Sequence, residues 1–202
     1  MQASAPRKTA AALTIALLAG LCAAPAFAHP GEHHAVASFS LGFLHPILGW
    51  DHLLAMLAVG LWASQQPRRV AWVMPLAFPA MMALGALVGL QGGALPWMET
   101  GIAASVAVLG LLIAFAVRMP LAGGAAIIAL FGLVHGVAHG IEAPAGGTLL
   151  GYGAGFIAAT VMLHLAGLLA GMWATRPAAS GRVLRAAGAV VASAGFSLLA
   201  FI

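Results

Sequence analysis

HPILGWDHLLAMLAVGLWA, residues 45–63, opens with two histidines and an aspartate and then stays apolar to its end. The apolar part does not alternate as a barrel strand would, and it continues toward the roughly 20 residues a helix needs to cross hydrocarbon. The rest of the chain repeats that composition. Of its 202 residues, 63% are hydrophobic and 6% charged, with a mean hydropathy of +1.06. Soluble domains carry about 25% charged residues, so the composition is that of a membrane protein. The net charge of +4 comes from eight basic residues scattered over loops. They form no patch, so nucleic acid is not an expected partner. Lys8 is the only lysine, and it is not set in the Gly-Lys-Ser/Thr context of a P-loop, which excludes that kind of ATP-driven motor.

Six apolar segments of about 20 residues or more follow the N-terminal region: 41–64, 70–90, 97–117, 121–140, 148–174 and 183–201. The expected fold is all-α, a polytopic membrane bundle of six transmembrane helices spanning 41–202. Residues 1–28 read as a cleavable signal peptide: a basic start, an apolar middle holding the lone Cys22, and Ala26-Phe27-Ala28 as the cleavage pattern. An uncleaved first membrane helix is the alternative, and both readings leave His29 outside. Arg68 and Arg69, Arg118, and Arg176, Arg182 and Arg185 fall in alternate loops, while Glu32, Asp51, Glu99 and Glu142 lie at or near the other ends. The positive-inside rule then gives a bacterial inner-membrane protein with both mature termini outside. Gly132, Gly136 and Gly140, and Gly167 and Gly171, have the four-residue spacing that lets helices approach closely in lipid, and are read as structural.

The ionisable residues of this bundle gather at one depth. On a continuous first helix, His45 and His52, seven apart, share a face with Gly49 between them, leaving room for an ion. Pro46 is then expected near the first turn, where its missing N–H costs little, and Asp51 is set to orient a histidine or to face another helix. HGVAHGIE, residues 135–142, puts His135, His139 and Glu142 on one side of the fourth helix. Both clusters fall in outer halves of their helices. Glu99 lies at a similar level and His164 deeper, so an outward-facing funnel is expected. Charged groups in the membrane cost on the order of 3 kcal/mol each, so these residues are expected to line an ion path inside the bundle. Imidazoles and carboxylates without a thiolate suit a divalent Ni²⁺, Co²⁺ or Zn²⁺ rather than Cu⁺. Met74, Met81 and Met82 are read as packing residues. The leader HPGEHH, part of 29–40, offers His29, His33 and His34 as further metal-capturing groups beside Glu32.

HPILGWDH resembles the His-Pro-x-x-Gly-x-Asp-His signature of the HupE/UreJ proteins, and FGLVHGVAHGIE, residues 131–142, resembles their second signature, His-Gly-x-Ala-His-Gly-x-Glu. The resemblance extends over essentially the whole chain. It implies uptake of Ni²⁺ or Co²⁺ as substrate, in support of hydrogenase or urease, with His45, Asp51, His52, His135, His139 and Glu142 as the metal residues. Glu99 and His164 are added here from depth and chemistry. The expected function is a secondary permease, not an enzyme, taking metal from periplasm to cytoplasm with no organic cofactor. Its partners are the metal and the bilayer, and a homo-oligomer is compatible with the sequence. Two other readings stay open: a metal-binding sensor or accessory protein without transport, and a haem or di-iron membrane protein.

Overall fold

A computed structural model describes residues 38–143, 148–175 and 181–202. The expected signal peptide, Cys22, Arg176 and the leader residues His29, Glu32, His33 and His34 lie outside the described residues. Seven helices follow in order: α1 (Ser38–Leu48), α2 (Trp50–Ala63), α3 (Arg68–Leu90), α4 (Met98–Ala114), α5 (Leu121–Ile141), α6 (Leu149–Ala174) and α7 (Arg182–Ala200). No strand occurs among the described residues.

The expectation of a continuous helix over 41–64 fails. α1 and α2 meet at an 80° bend and together make one broken span or a re-entrant pair. Gly49 is the joint: its backbone is extended (φ −84°, ψ 115°) and it serves as the N-cap of α2. The local chemistry favours a new start here. Glycine is accepted at an N-cap, and Asp51, two residues on, puts a carboxylate against the positive end of the new helix. Its Oδ1 accepts the backbone N–H of His52 at 2.8 Å, satisfying a donor that the first turn leaves without a partner. Pro46 consequently lies in the last turn of α1, not near the first. His45 and His52 do not share one helix face. They are brought together by the bend.

Four helices, α3, α5, α6 and α7, are long and apolar enough to cross a membrane, and the bent pair makes a fifth. The 17-residue α4 is shorter than the expected segment 97–117. At 1.5 Å per residue it falls a few ångströms short of the hydrocarbon thickness of about 30 Å. It stops because Ala116 turns left-handed, at φ 50°. The Val117 N–H then returns to the Leu112 carbonyl (2.9 Å) and the Ala116 N–H to Ile113 (3.0 Å). This pair of bonds closes the helix as a Schellman motif.

Glycines set the packing, as their spacing implied. Gly132, Gly136 and Gly140 of α5 lie against the backbone carbonyls of Phe78, Met82 and Ala86 in α3. Gly85 and Gly89 of α3 answer against Leu133 and Val137. A methyl group at any of them would collide with the facing backbone and force the pair apart. α4 packs along α7 in the same manner, and α6 lies against both α1 and α2. The core of the bundle holds Met56, Trp62, Met74, Phe78 and Met82, all essentially without solvent contact. Trp62 donates its indole N–H to the Val117 carbonyl at 2.9 Å, tying the end of α2 to the loop after α4. The α1–α2 break, α5 and α6 therefore surround one space at one end of the bundle.

Candidate metal site

Three helix ends deliver the site. His45 comes from the last turn of α1, His52 from the first turn of α2 and His139 from the last turn of α5. One ring nitrogen of each lies within 4.8 Å of the others. The rings of His52 and His139 are 4.4 Å apart and those of His45 and His139 4.8 Å. Two nitrogens bound to one ion at about 2.1 Å are at most about 4.2 Å apart, so the cluster needs only a small contraction to close on a metal.

The tautomers follow from the surrounding acceptors. His52 Nδ1 lies 2.6 Å from Asp51 Oδ1, so this nitrogen carries the proton and Nε2 is left with its lone pair. Asp51 thus orients a histidine, one of the two roles expected of it. His135 donates from Nδ1 to the Phe131 carbonyl (2.9 Å) and His164 from Nδ1 to the Pro75 carbonyl (3.0 Å). In each case Nε2 is freed in the same way. The second acceptor exists because Pro79 has no N–H to return to Pro75 within α3. Among the described residues, Nε2 of His52, His135 and His164, both ring nitrogens of His139 and Oε2 of Glu142 are buried without a hydrogen-bond partner. Buried polar atoms are ordinarily paired, and one nitrogen of His139 must carry a proton, so the remaining unpaired acceptors form a donor set that could hold a ligand. A divalent ion is one ligand that could satisfy them.

Glu142 closes the outer side. Its Oε2 is 3.3 Å from His45 Nε2 and 3.8 Å from His139 Nδ1. His135 is fully buried one turn deeper, its ring 5.2 Å from that of His52. Glu99 is exposed in the first turn of α4 and stands outside the three-histidine group. His164 is fully buried, and the Phe78 ring packs against both it and His135. Gly49 does leave room, though for the Asp51–His52 pair, whose atoms a side chain there would crowd. Met74 and Met82 are packing residues in the core. A cavity of about 670 Å³ at the other end of the bundle is lined by Arg118, Arg182 and Arg185, with no histidine or carboxylate among its described lining residues.

Reading the sequence missed the aromatic wall. The Phe156 ring lies 3.9 Å from His139, and the Tyr152 ring 6.2 Å from His45. Tyr152, Phe156, Thr160 and His164 recur every four residues on α6 and are all buried. That stripe was a usable signal, masked by the uniform apolarity around it.

The profile of the HupE / UreJ protein family matches residues 15–198. Protein HupE of Rhizobium leguminosarum bv. viciae is 47% identical over 176 residues, covering 86% of this chain and 90% of that protein. No solved structure matches. The chain belongs to the HupE/UreJ family and is a multi-pass helical membrane protein.

Proposed function

We propose that the protein is a permease carrying Ni²⁺ or Co²⁺ from periplasm to cytoplasm through the inner membrane. The observation that carries this reading is the convergence of imidazole nitrogens from α1, α2 and α5, those of His52 and His139 being buried without a hydrogen-bond partner. Neutral imidazole and carboxylate suit borderline divalent ions, and buried ionisable groups in a membrane bundle mark ion pathways. The cluster is slightly wider than a closed site, which suits an ion that must leave again. His45, His52 and His139 would take the ion from water, with Glu142 offsetting charge and Asp51 holding His52 in its ligating tautomer. His135 would receive it next. Exposed Glu99 would attract cations, and His29, His33 and His34 would raise their local concentration. The likeness to HupE and the family's association with nickel and cobalt support the choice of metal. Supply of a nickel or cobalt enzyme is the physiological role this implies.

Uptake of labelled Ni²⁺ and Co²⁺ into proteoliposomes tests the reading against His135→Ala/His139→Ala, with insertion of the variant verified. Saturable uptake that the double variant loses is expected. Binding without flux in the wild type would instead make the protein a metal-binding accessory or sensor.

A further inference from the structure

Beyond the three-histidine cluster, one aromatic ring that offers no ligand packs against two further buried histidines. Phe78 has no solvent contact, and its centroid lies 5.2 Å from that of His135 and 5.2 Å from that of His164. The two histidines come from different helices, α5 and α6, yet present the same arrangement. Each has Nδ1 tied to a backbone carbonyl and Nε2 buried without a partner. We propose that Phe78 is the gate and selectivity barrier of the permeation path, separating an outer metal site from an inner one at His164. The proposal rests on the permease reading.

An ion bonded to imidazole at about 2.1 Å cannot reach from His135 to His164 while a phenyl ring stands between them. It must lose its outer ligands and gain His164 in one passage, with the ring turned aside. Ions that prefer oxygen ligands and hold their water, such as Mg²⁺, have little affinity for the imidazole beyond and are held back by the apolar constriction.

The surroundings allow the ring to move while the backbone stays. Gly132 packs on the Phe78 carbonyl, which holds α3 against α5 at this turn. Pro75 and Pro79 flank the ring and remove two helix hydrogen bonds, from the carbonyls of Ala71 and Pro75, so the turn is locally less constrained. One of the freed carbonyls is the acceptor for His164, which couples the inner histidine to the turn bearing the gate. Close by, the Thr160 hydroxyl points to the thioethers of Met56 (3.4 Å) and Met82 (3.9 Å). Met56 is one turn from His52 on α2 and Met82 one turn from Phe78 on α3. Unbranched methionines repack readily and can yield space to the displaced ring.

The test compares wild type, Phe78→Ala, Phe78→Leu and Phe78→Trp, purified as the full chain. Ni²⁺ affinity in detergent reports the outer cluster, and Ni²⁺ and Mg²⁺ entry into proteoliposomes reports passage. All four proteins are expected to bind Ni²⁺ alike. Phe78→Ala should raise Ni²⁺ flux about tenfold and admit Mg²⁺, while Phe78→Trp should lower flux about tenfold, each corresponding to a change of about 1.4 kcal/mol in the barrier. If Phe78→Ala does not bind Ni²⁺ and so is misfolded, the Leu and Trp variants decide, with faster passage expected for Leu and slower for Trp. Wild-type uptake with every folded variant equal to it, and Mg²⁺ excluded throughout, would overturn the gate and leave the permease intact. Binding without any wild-type flux would overturn the permease reading and the gate with it.

Discussion

Asp51 shows how much one side chain carries here. A single carboxylate oxygen accepts both the backbone N–H and the ring Nδ1 of His52, at 2.8 and 2.6 Å. It therefore supports the start of α2 and fixes the tautomer of an imidazole in the candidate site at once. Removing such an outer partner typically weakens metal binding 10–100-fold. Asp51→Ala is expected to raise the Ni²⁺ dissociation constant by about that factor, whereas Asp51→Asn, which keeps an acceptor oxygen, should lose less. Titration of both variants by calorimetry checks the order, and equal losses would show that charge alone matters. The residues of the two histidine motifs were legible because imidazole and carboxylate are expensive in an apolar segment. Phe78, Tyr152 and Phe156 were not, because an aromatic ring in a membrane helix looks the same in the sequence whether it packs against lipid, core or a histidine.

At the level of elements, breaks matter more than spans. The stop of α4 is made by Ala116 in a left-handed conformation, where an L-residue with a Cβ is strained by roughly 1–2 kcal/mol and glycine is at ease. Ala116→Gly should stabilise the protein by about 1 kcal/mol, the strain relieved being partly offset by glycine's greater freedom in the unfolded chain. A rise in the thermal midpoint in detergent would show it, and a fall would mean that the Schellman cap is not under strain. The break between α1 and α2 is the more consequential. Apolarity runs unchanged across Gly49, so hydropathy gives one helix. The Gly49–Trp50–Asp51 start signal is local, and in a soluble protein it would have been read as an N-terminus. Here the length expected of a membrane span outweighed it.

For the whole molecule, four candidate spans and a bent pair are evident in the helices themselves, and the segregation of arginines from carboxylates leads to the expectation that the arginine loops are cytoplasmic. In a Cys22→Ala background, Gln91→Cys, just past α3, should react with a membrane-impermeant maleimide in intact spheroplasts. Arg118→Cys, between α4 and α5, should react only after permeabilisation. Both positions are exposed, so the inverse pattern would reverse the direction assigned to transport. The sequence by itself determined the membrane setting, the helical class, the two histidine motifs and the glycine seams, because each follows from composition or from spacing along one helix. Tertiary structure alone decided that an 80° bend, not a shared helix face, joins His45 to His52, that His139 closes on them, and that Phe78 packs against both His135 and His164. Those relations link residues far apart in the chain or cross a helix end, and they are set by how closely backbones pack, which no periodicity along a single helix records.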